Sequence, residues 1–250
     1  MSTILALIHC WFSPARGVDV IKAIIFDLDD TLYLQRDYYR SGFAAAAREL
    51  HSRGAGSPES LLAALDAIHD DEGKERVFDK AADRLGFPLE WVSTLVMIAR
   101  AHRPSINLSE ETTEVLRSLR THYALGCVTD GPARAQRRKL EALGIDRFVS
   151  AVVVSDDFGR DFWKPHPRPL LSCARSLGAS PDQCIYVGDS FERDVRGAHN
   201  AGMWAIRVCL PGSYSAAEVN TGADVPEAEI ASLPDLRQAI TCLNSERSSL

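Results

Sequence analysis

Lys22-Ala-Ile-Ile-Phe-Asp27-Leu-Asp29-Asp30-Thr31-Leu32 is the stretch on which the reading of this chain turns. A short apolar run ends abruptly in three carboxylates. Ala23 to Phe26 read as a buried parallel strand, because the run is uninterrupted rather than alternating. In open α/β sheets, ligands sit beyond the carboxyl ends of the strands. Asp27 and Asp29 lie where the strand runs out, and side chains two apart in an extended segment share a face. Two anions that close repel each other unless a cation sits between them. The plainer alternative is a strand followed by an Asp-rich turn. That accounts for one Asp but poorly for the whole pattern.

Bulk properties narrow the class. The 250 residues fit one large domain, or a core with a smaller domain inserted. A composition 46% hydrophobic and 25% charged is that of an ordinary globular protein. A net charge of −6 argues against a nucleic-acid polymer as partner, which calls for a basic footprint. Phosphorylated small molecules are anions too, so a site for them needs local cations or a metal. The six cysteines form no CxxC pair and no zinc spacing. Cys127 and Cys184 fall inside apolar, strand-like runs and read as reduced, structural thiols of a cytoplasmic protein. Ile4 to Phe12 form an apolar stretch too short to span a membrane and a weak match to a signal peptide, so no membrane partner is expected.

Local patterns divide the chain. Residues 1–20 read as a loose N-terminal extension, residues 21–32 and 105–250 as an α/β core, and residues 33–104 as a small helical domain. Within the helical block, Asp37 to His51 carry Tyr38, Phe43, Ala47 and Leu50 at helical spacing. Ser57-Pro58 supply an N-cap and a first-turn proline for the next helix. After Arg103-Pro104, strands alternate with helices. Strands are expected at Tyr123–Val128, Ala151–Val154, Ile185–Val187 and Trp204–Val208. Such alternation predicts a parallel, Rossmann-like sheet with right-handed crossovers. The tail after Pro211 reads as loop, with one helix from Pro234 to Cys242. His51, His69, His102 and His122 read as solvated.

Polar clusters sit at four strand ends or the loops that follow them. They are Asp27 with Asp29, Thr129 in Thr129-Asp130-Gly131, Lys164 in Lys164-Pro165, and Asp189 with Asp194. A parallel sheet brings all four to one edge. Each alone is commonplace as a turn residue or surface charge; together they describe carboxylates for a metal, a hydroxyl and a fixed positive charge. Such carboxylates suit Mg²⁺, a hard cation that prefers oxygen ligands. A carboxylate can attack phosphorus, and a second can protonate the leaving alcohol and later activate water.

These four stretches, in this order, resemble the motifs of the haloacid dehalogenase superfamily, specifically its phosphatases with a helical cap inserted after the first strand. The resemblance covers Lys22 to Val208. It implies that Asp27 is the nucleophile and a Mg²⁺ ligand, and that Asp29 is the general acid/base with its backbone carbonyl on the metal. It further implies that Thr129 and Asp130 belong to the phosphate-binding loop and that Lys164 neutralises nucleophile and phosphate. Asp189 and Asp194 would serve the metal. The five-residue step from Asp189 to Asp194, and the run from Thr129 through Gln136, Lys139 and Leu143-Gly144, resemble the nucleotidase and N-acylneuraminate-9-phosphatase branch. Asp130 departs from that branch, where Asn is more usual, and adds a negative charge near the phosphate. The implied activity is Mg²⁺-dependent hydrolysis of a small phosphorylated metabolite, such as a sugar phosphate or nucleoside monophosphate, by a monomer or homodimer. Alternatives on the same fold are a phosphate-binding regulatory module, a phosphomutase and a 2-haloacid dehalogenase; Asp29 argues against the last. Gln35, Arg36, Tyr38, Tyr39 and Arg40 are candidates for substrate contact, and Trp163 reads as an anchor of the Lys164 loop.

Overall fold

The computed structural model describes residues 9–10, 20–216, 220, 222 and 224–247. Its first elements are β1 (His9–Cys10), β2 (Ala23–Phe26), α1 (Gln35–Ser52), α2 (Pro58–Glu72), α3 (Val77–Leu85), α4 (Val92–Ala101) and α5 (Glu110–Leu119). Next come β3 (Ala124–Thr129), α6 (Ala133–Leu143), β4 (Ala151–Val154), α7 (Arg168–Ser176) and β5 (Cys184–Gly188). A π-helical turn (Phe191–Val195), α8 (Arg196–Asn200), β6 (Trp204–Val208), β7 (Ala228–Ile230) and α9 (Leu236–Arg247) complete the chain. They form two compact units, Met1–Leu34 with Asn107–Leu250, and Gln35–Ile106. Among the described residues no helix is long and apolar enough to cross a membrane.

The first unit is built on a seven-stranded sheet of order β1-β7-β6-β5-β2-β3-β4. All neighbours are parallel except β1 with β7. β2 lies between β3 and β5, buried at every residue, which is why its sequence is an unbroken apolar run. The chain builds outward from β2 to β3 and β4, then returns to add β5, β6 and β7 on the other side. The carboxyl ends of β2, β3 and β5 therefore open onto the crevice where the winding reverses. Helix α7 reaches β3 because residue 126 is glycine: a Cβ there would stand 2.5 Å from Cys173 Sγ.

Two short strands correct the sequence reading. Ala228–Ile230, expected as loop, is β7, and His9–Cys10, expected within a loose extension, is the antiparallel edge strand β1. Residues 1–8 and 11–19 of that extension lie outside the described residues. Ala-Glu-Ile is too short to show a period, and Ala and Glu have little strand preference. Pairing with β6, which buries Ala228 and Ile230, makes it a strand.

The second unit holds α1 to α4 around Phe43, Leu50, Leu65, Ile68, Phe78 and Leu95. Ser57 caps α2, its hydroxyl accepting from the Ser60 N–H at 3.2 Å, and Pro58 opens the helix. Two histidines expected in solvent are buried: His69 against the rings of Tyr39 and Phe43, with centroids 5.3 and 5.4 Å away, and His102 against Tyr38 at 5.1 Å. His69 lies on the packed side of α2 and His102 just past the end of α4, where an imidazole serves as a flat ring with one polar edge. Arg36 pairs with Asp70, and Arg40 with Asp66 at 3.0 Å, so both guanidinium groups are engaged within this unit.

Candidate active site

Lys164 is the centre of the arrangement. Its ammonium donates to Asp27 Oδ1 at 2.5 Å, Asp194 Oδ1 at 2.7 Å and the Tyr186 hydroxyl at 3.0 Å. Three donors meet three acceptors, which is what a buried ammonium requires. Asp27 extends from the end of β2, and its N–H continues the sheet by donating to Val187 O at 2.8 Å. Lys164 arrives from the loop after β4. That loop is fixed by Trp163, whose indole N–H donates to Asp156 at 3.3 Å, and by the Lys164 N–H, which donates to Asp130 Oδ2 at 3.0 Å. The Asp130 carboxylate ties two loops together through Oδ2, while its Oδ1 is buried without a hydrogen-bond partner.

Asp194 is saturated. Oδ1 accepts from Lys164 and, at 3.2 Å, from Tyr186; Oδ2 accepts from the N–H groups of Asp189 at 3.1 Å and Ser190 at 3.0 Å. It sits in the π-helical turn, a local widening that often marks functional sites. The fit depends on residue 188 being glycine: a Cβ there would lie 2.5 Å from both Cβ and Cγ of Asp194. Gly188→Ala is expected to expel Asp194, destabilise the fold by about 1–3 kcal/mol and depress turnover. Denaturant unfolding and steady-state rates would measure both, and an alanine variant with unchanged stability and rate would refute the account.

Asp29 is held apart from this group. Lys139 Nζ donates to its two carboxylate oxygens at 2.8 and 2.7 Å, Gln136 Nε2 donates at 3.0 Å, and the Tyr33 hydroxyl donates as well. Burial pushes the Asp29 carboxyl up, but Lys139, Tyr33 and Gln136 outweigh it and hold the group below its ordinary range. In this setting Asp29 is a carboxylate, the form that accepts a proton.

Charge is unbalanced around Lys164. Burial pushes Asp27 up to about 7, with Lys164 opposing and Asp194 adding to the rise. Burial together with Asp194 and Asp27 pushes Asp189 up to about 8. Lys164 and the nearby Arg193 guanidinium set two positive charges against these three buried carboxylates, which leaves a negative excess of the kind a divalent cation offsets. Carboxylate oxygens of Asp27, Asp189 and Asp194 all lie within 4.8 Å of one another. Asp189 Oδ1 is buried without a hydrogen-bond partner, as is Thr129 Oγ1 at the end of β3. Asp27 and Asp189 thus fit a hard cation. Asp194, expected as a metal residue, belongs to the same cluster while both its oxygens also accept hydrogen bonds, and the Asp29 side chain lies outside it.

Sequence reasoning noted Gln136 and Lys139 only as part of a pattern and did not single out Tyr33, Tyr186 or Arg207. One signal was legible: the buried positions of α6 are Gln136, Lys139 and Leu143, so two of three on its inward stripe are polar.

Comparison with known proteins agrees with this geometry. The sequence pattern of the haloacid dehalogenase-like hydrolases matches residues 21–202. Glyceraldehyde 3-phosphate phosphatase of Methanopyrus kandleri is 33% identical over 220 residues, covering 84% of this chain and 93% of its own length. N-acylneuraminate-9-phosphatase of Rattus norvegicus is 31% identical, covering 90% of this chain and 97% of its own length. The crystal structure of a HAD phosphatase from Thermococcus onnurineus superposes with a TM-score of 0.54 at 25% identity, covering 87% of this chain and 96% of that one. With its four motifs gathered at one sheet edge and its sequence matched along most of its length, the chain belongs to the haloacid dehalogenase-like hydrolase family.

Proposed function

We propose that this protein is a Mg²⁺-dependent phosphomonoester hydrolase that acts on a small phosphorylated metabolite through an aspartyl-phosphate on Asp27. The observation that carries this reading is the grouping of Asp27, Lys164 and the unpartnered Asp189 oxygen at one strand edge. Asp27 and Asp189, with the Asp29 backbone carbonyl, would hold Mg²⁺, which when bound screens the charge of a phosphate dianion. An Asp27 oxygen attacks phosphorus and the bond to the leaving oxygen breaks; Asp29, a carboxylate at rest, first takes a proton from the substrate's phosphate monoanion or from water and passes it to that oxygen. Asp29, now a carboxylate, takes a proton from the water that attacks phosphorus. The bond from phosphorus to Asp27 then breaks and inorganic phosphate leaves. Lys164 aims Asp27 and favours its ionised form against the burial that pushes the carboxyl up. The Thr129 hydroxyl and the Asp130 backbone receive the phosphoryl oxygens, where transition-state charge accumulates.

An alkoxide needs a proton to leave and a halide does not, so Asp29 favours ester hydrolysis over dehalogenation. The names of the two curated relatives point to phosphorylated sugars and related small acids; a sugar phosphate or a nucleoside monophosphate is the class we assign. The helical unit, inserted just after the Asp27–Leu32 loop, is assigned as the cap that excludes bulk water. The buried, unoxidised thiols of Cys127, Cys173 and Cys184 support a cytoplasmic setting. Phosphate release from a panel of phosphomonoesters with Mg²⁺ tests the reading, and no release from any member would overturn it.

The raised carboxyls add a stability signature. Free of metal, the folded protein retains protons on Asp27 and Asp189 up to about 7 and 8, whereas the unfolded chain loses them near 3.8. The folded state binds more protons across that window, so these groups withdraw stability as pH rises through it. A divalent cation takes over the protons' role. The rise in Tm on adding Mg²⁺ is therefore expected to be larger at pH 8 than at pH 5, as measured by thermal unfolding. An equal or smaller rise at pH 8 would contradict the assignment.

A further inference from the structure

Arg207 is the penultimate residue of β6, only 3% exposed, directly across from Gly188 of β5. A guanidinium is seldom buried without partners, because removing its charge from water is costly. The partners here are specific. Nε donates to the carbonyl oxygen of Asp189 at 2.8 Å, Nη2 to the carbonyl of Ser215 at 2.7 Å, and Nη1 to Glu229 Oε2 at 3.2 Å. The guanidinium also lies over the ring of Phe191, 4.0 Å from its centroid.

One consequence concerns Asp189. Its Oδ1 is buried without a hydrogen-bond partner, so the aim of the carboxylate depends on the Ser215 side chain beside it and on where the backbone is held. The backbone is gripped from two sides: the N–H by Asp194 Oδ2 at 3.1 Å and the C=O by Arg207 Nε. Asp194 belongs to the turn that follows Asp189, whereas Arg207 comes from a different strand. Arg207 also joins the Asp189 loop to the segment after β6, through Ser215, and to β7, through Glu229.

We propose that Arg207 is a positioning residue for the divalent-cation site: it fixes the peptide that aims Asp189, and through it sets cation affinity. This rests on the proposed function, in which Asp189 is a ligand. Simple electrostatics and positioning make opposite claims. A nearby positive charge repels a cation, so removing it would tighten binding if charge alone mattered. If position governs, removal weakens binding. Lysine keeps the charge but offers a point donor in place of a planar fork, and cannot serve three acceptors spread around a guanidinium.

The test is Mn²⁺ binding to the metal-stripped full-length protein, followed by electron paramagnetic resonance, for wild type, Arg207→Lys, Arg207→Met and Glu229→Gln. Both Arg207 variants are expected to bind about tenfold more weakly, in the range typical of residues that orient metal ligands. Glu229→Gln, which loosens only the outer partner, is expected to shift affinity less, in the same direction, and covers the case in which an Arg207 variant fails to fold. In steady-state assays the Arg207→Lys enzyme is expected to need more Mg²⁺ for half-maximal rate, with most of kcat recovered at saturation. Arg207→Lys and Glu229→Gln variants that bind Mn²⁺ as the wild type does, or more tightly, would overturn the role of Arg207 alone. A wild type that binds no Mn²⁺ would overturn the proposed function and this inference with it.

Discussion

Replacing Asp27 with asparagine is expected to lower phosphate release by roughly 10⁴-fold or more, the scale on which loss of a nucleophile acts, while the protein stays folded. The carboxamide keeps the size and shape of the side chain but cannot form the acyl phosphate. Folding should tolerate it because the site already disfavours a charge there. Burial and Asp194 push the Asp27 carboxyl up to about 7 against the pull of Lys164. Lys164 retains Asp194 and Tyr186 as acceptors in the variant. The check is steady-state phosphate release with Mg²⁺ beside circular dichroism of the same sample. Turnover within tenfold of wild type would remove Asp27 from the nucleophile's role. Wild-type protein mixed with beryllium fluoride is expected to form a stable adduct at this aspartate and the asparagine variant none, which separates loss of chemistry from loss of substrate binding.

Replacing Lys164 with methionine is expected to damage both stability and catalysis. Methionine is similar in length and fills the same channel, so the change isolates the charge. Without the ammonium, Asp27 would lose its ion pair and Asp194 would keep only Tyr186, two backbone N–H groups and the more distant Arg193 charge; removing one partner of a buried ion pair costs about 3–5 kcal/mol. In wild type the two carboxylates outweigh the desolvation that would push the Lys164 ammonium down, and they hold it well above its ordinary value. The lysine is therefore charged throughout the accessible pH range. Denaturant unfolding should register the loss, largest at high pH where the carboxylates ionise and partly relieved by Mg²⁺ or low pH. Activity should fall by at least 10²-fold, the scale seen when one preorganised charge-stabilising group is removed. A methionine variant as stable and active as wild type would show that the contacts of Lys164 carry little energy.

The unequal legibility of this protein follows from the range of the interactions. β2 could be read because a strand buried on both faces admits only apolar residues, and the carboxylates after Phe26 mark its end without reference to anything else. The Ser57-Pro58 start of α2 was readable because a cap is satisfied within one turn. β7 was not, since its three residues become a strand only beside β6. His69 and His102 were misplaced in solvent because neighbouring elements, not the local sequence, decide what covers the last turn of α2 and the residue after α4.

At the site, the order of Asp27, Thr129, Lys164 and Asp189 along an α/β pattern was enough to establish which residue types meet, because parallel strands deliver their ends to one edge whatever the loops do. The division of labour among the carboxylates was decided only by the tertiary structure. Asp194 is drawn into backbone N–H groups and Lys164, Asp130 into the Lys164 N–H, and Asp29 into Lys139, leaving Asp189 with an oxygen to offer a cation. All five aspartates look alike as letters. What separates them is which donors, up to 137 positions away along the chain, arrive within 3 Å. That depends on how the strands are ordered and how the loops are tied, and no local stretch of sequence encodes it.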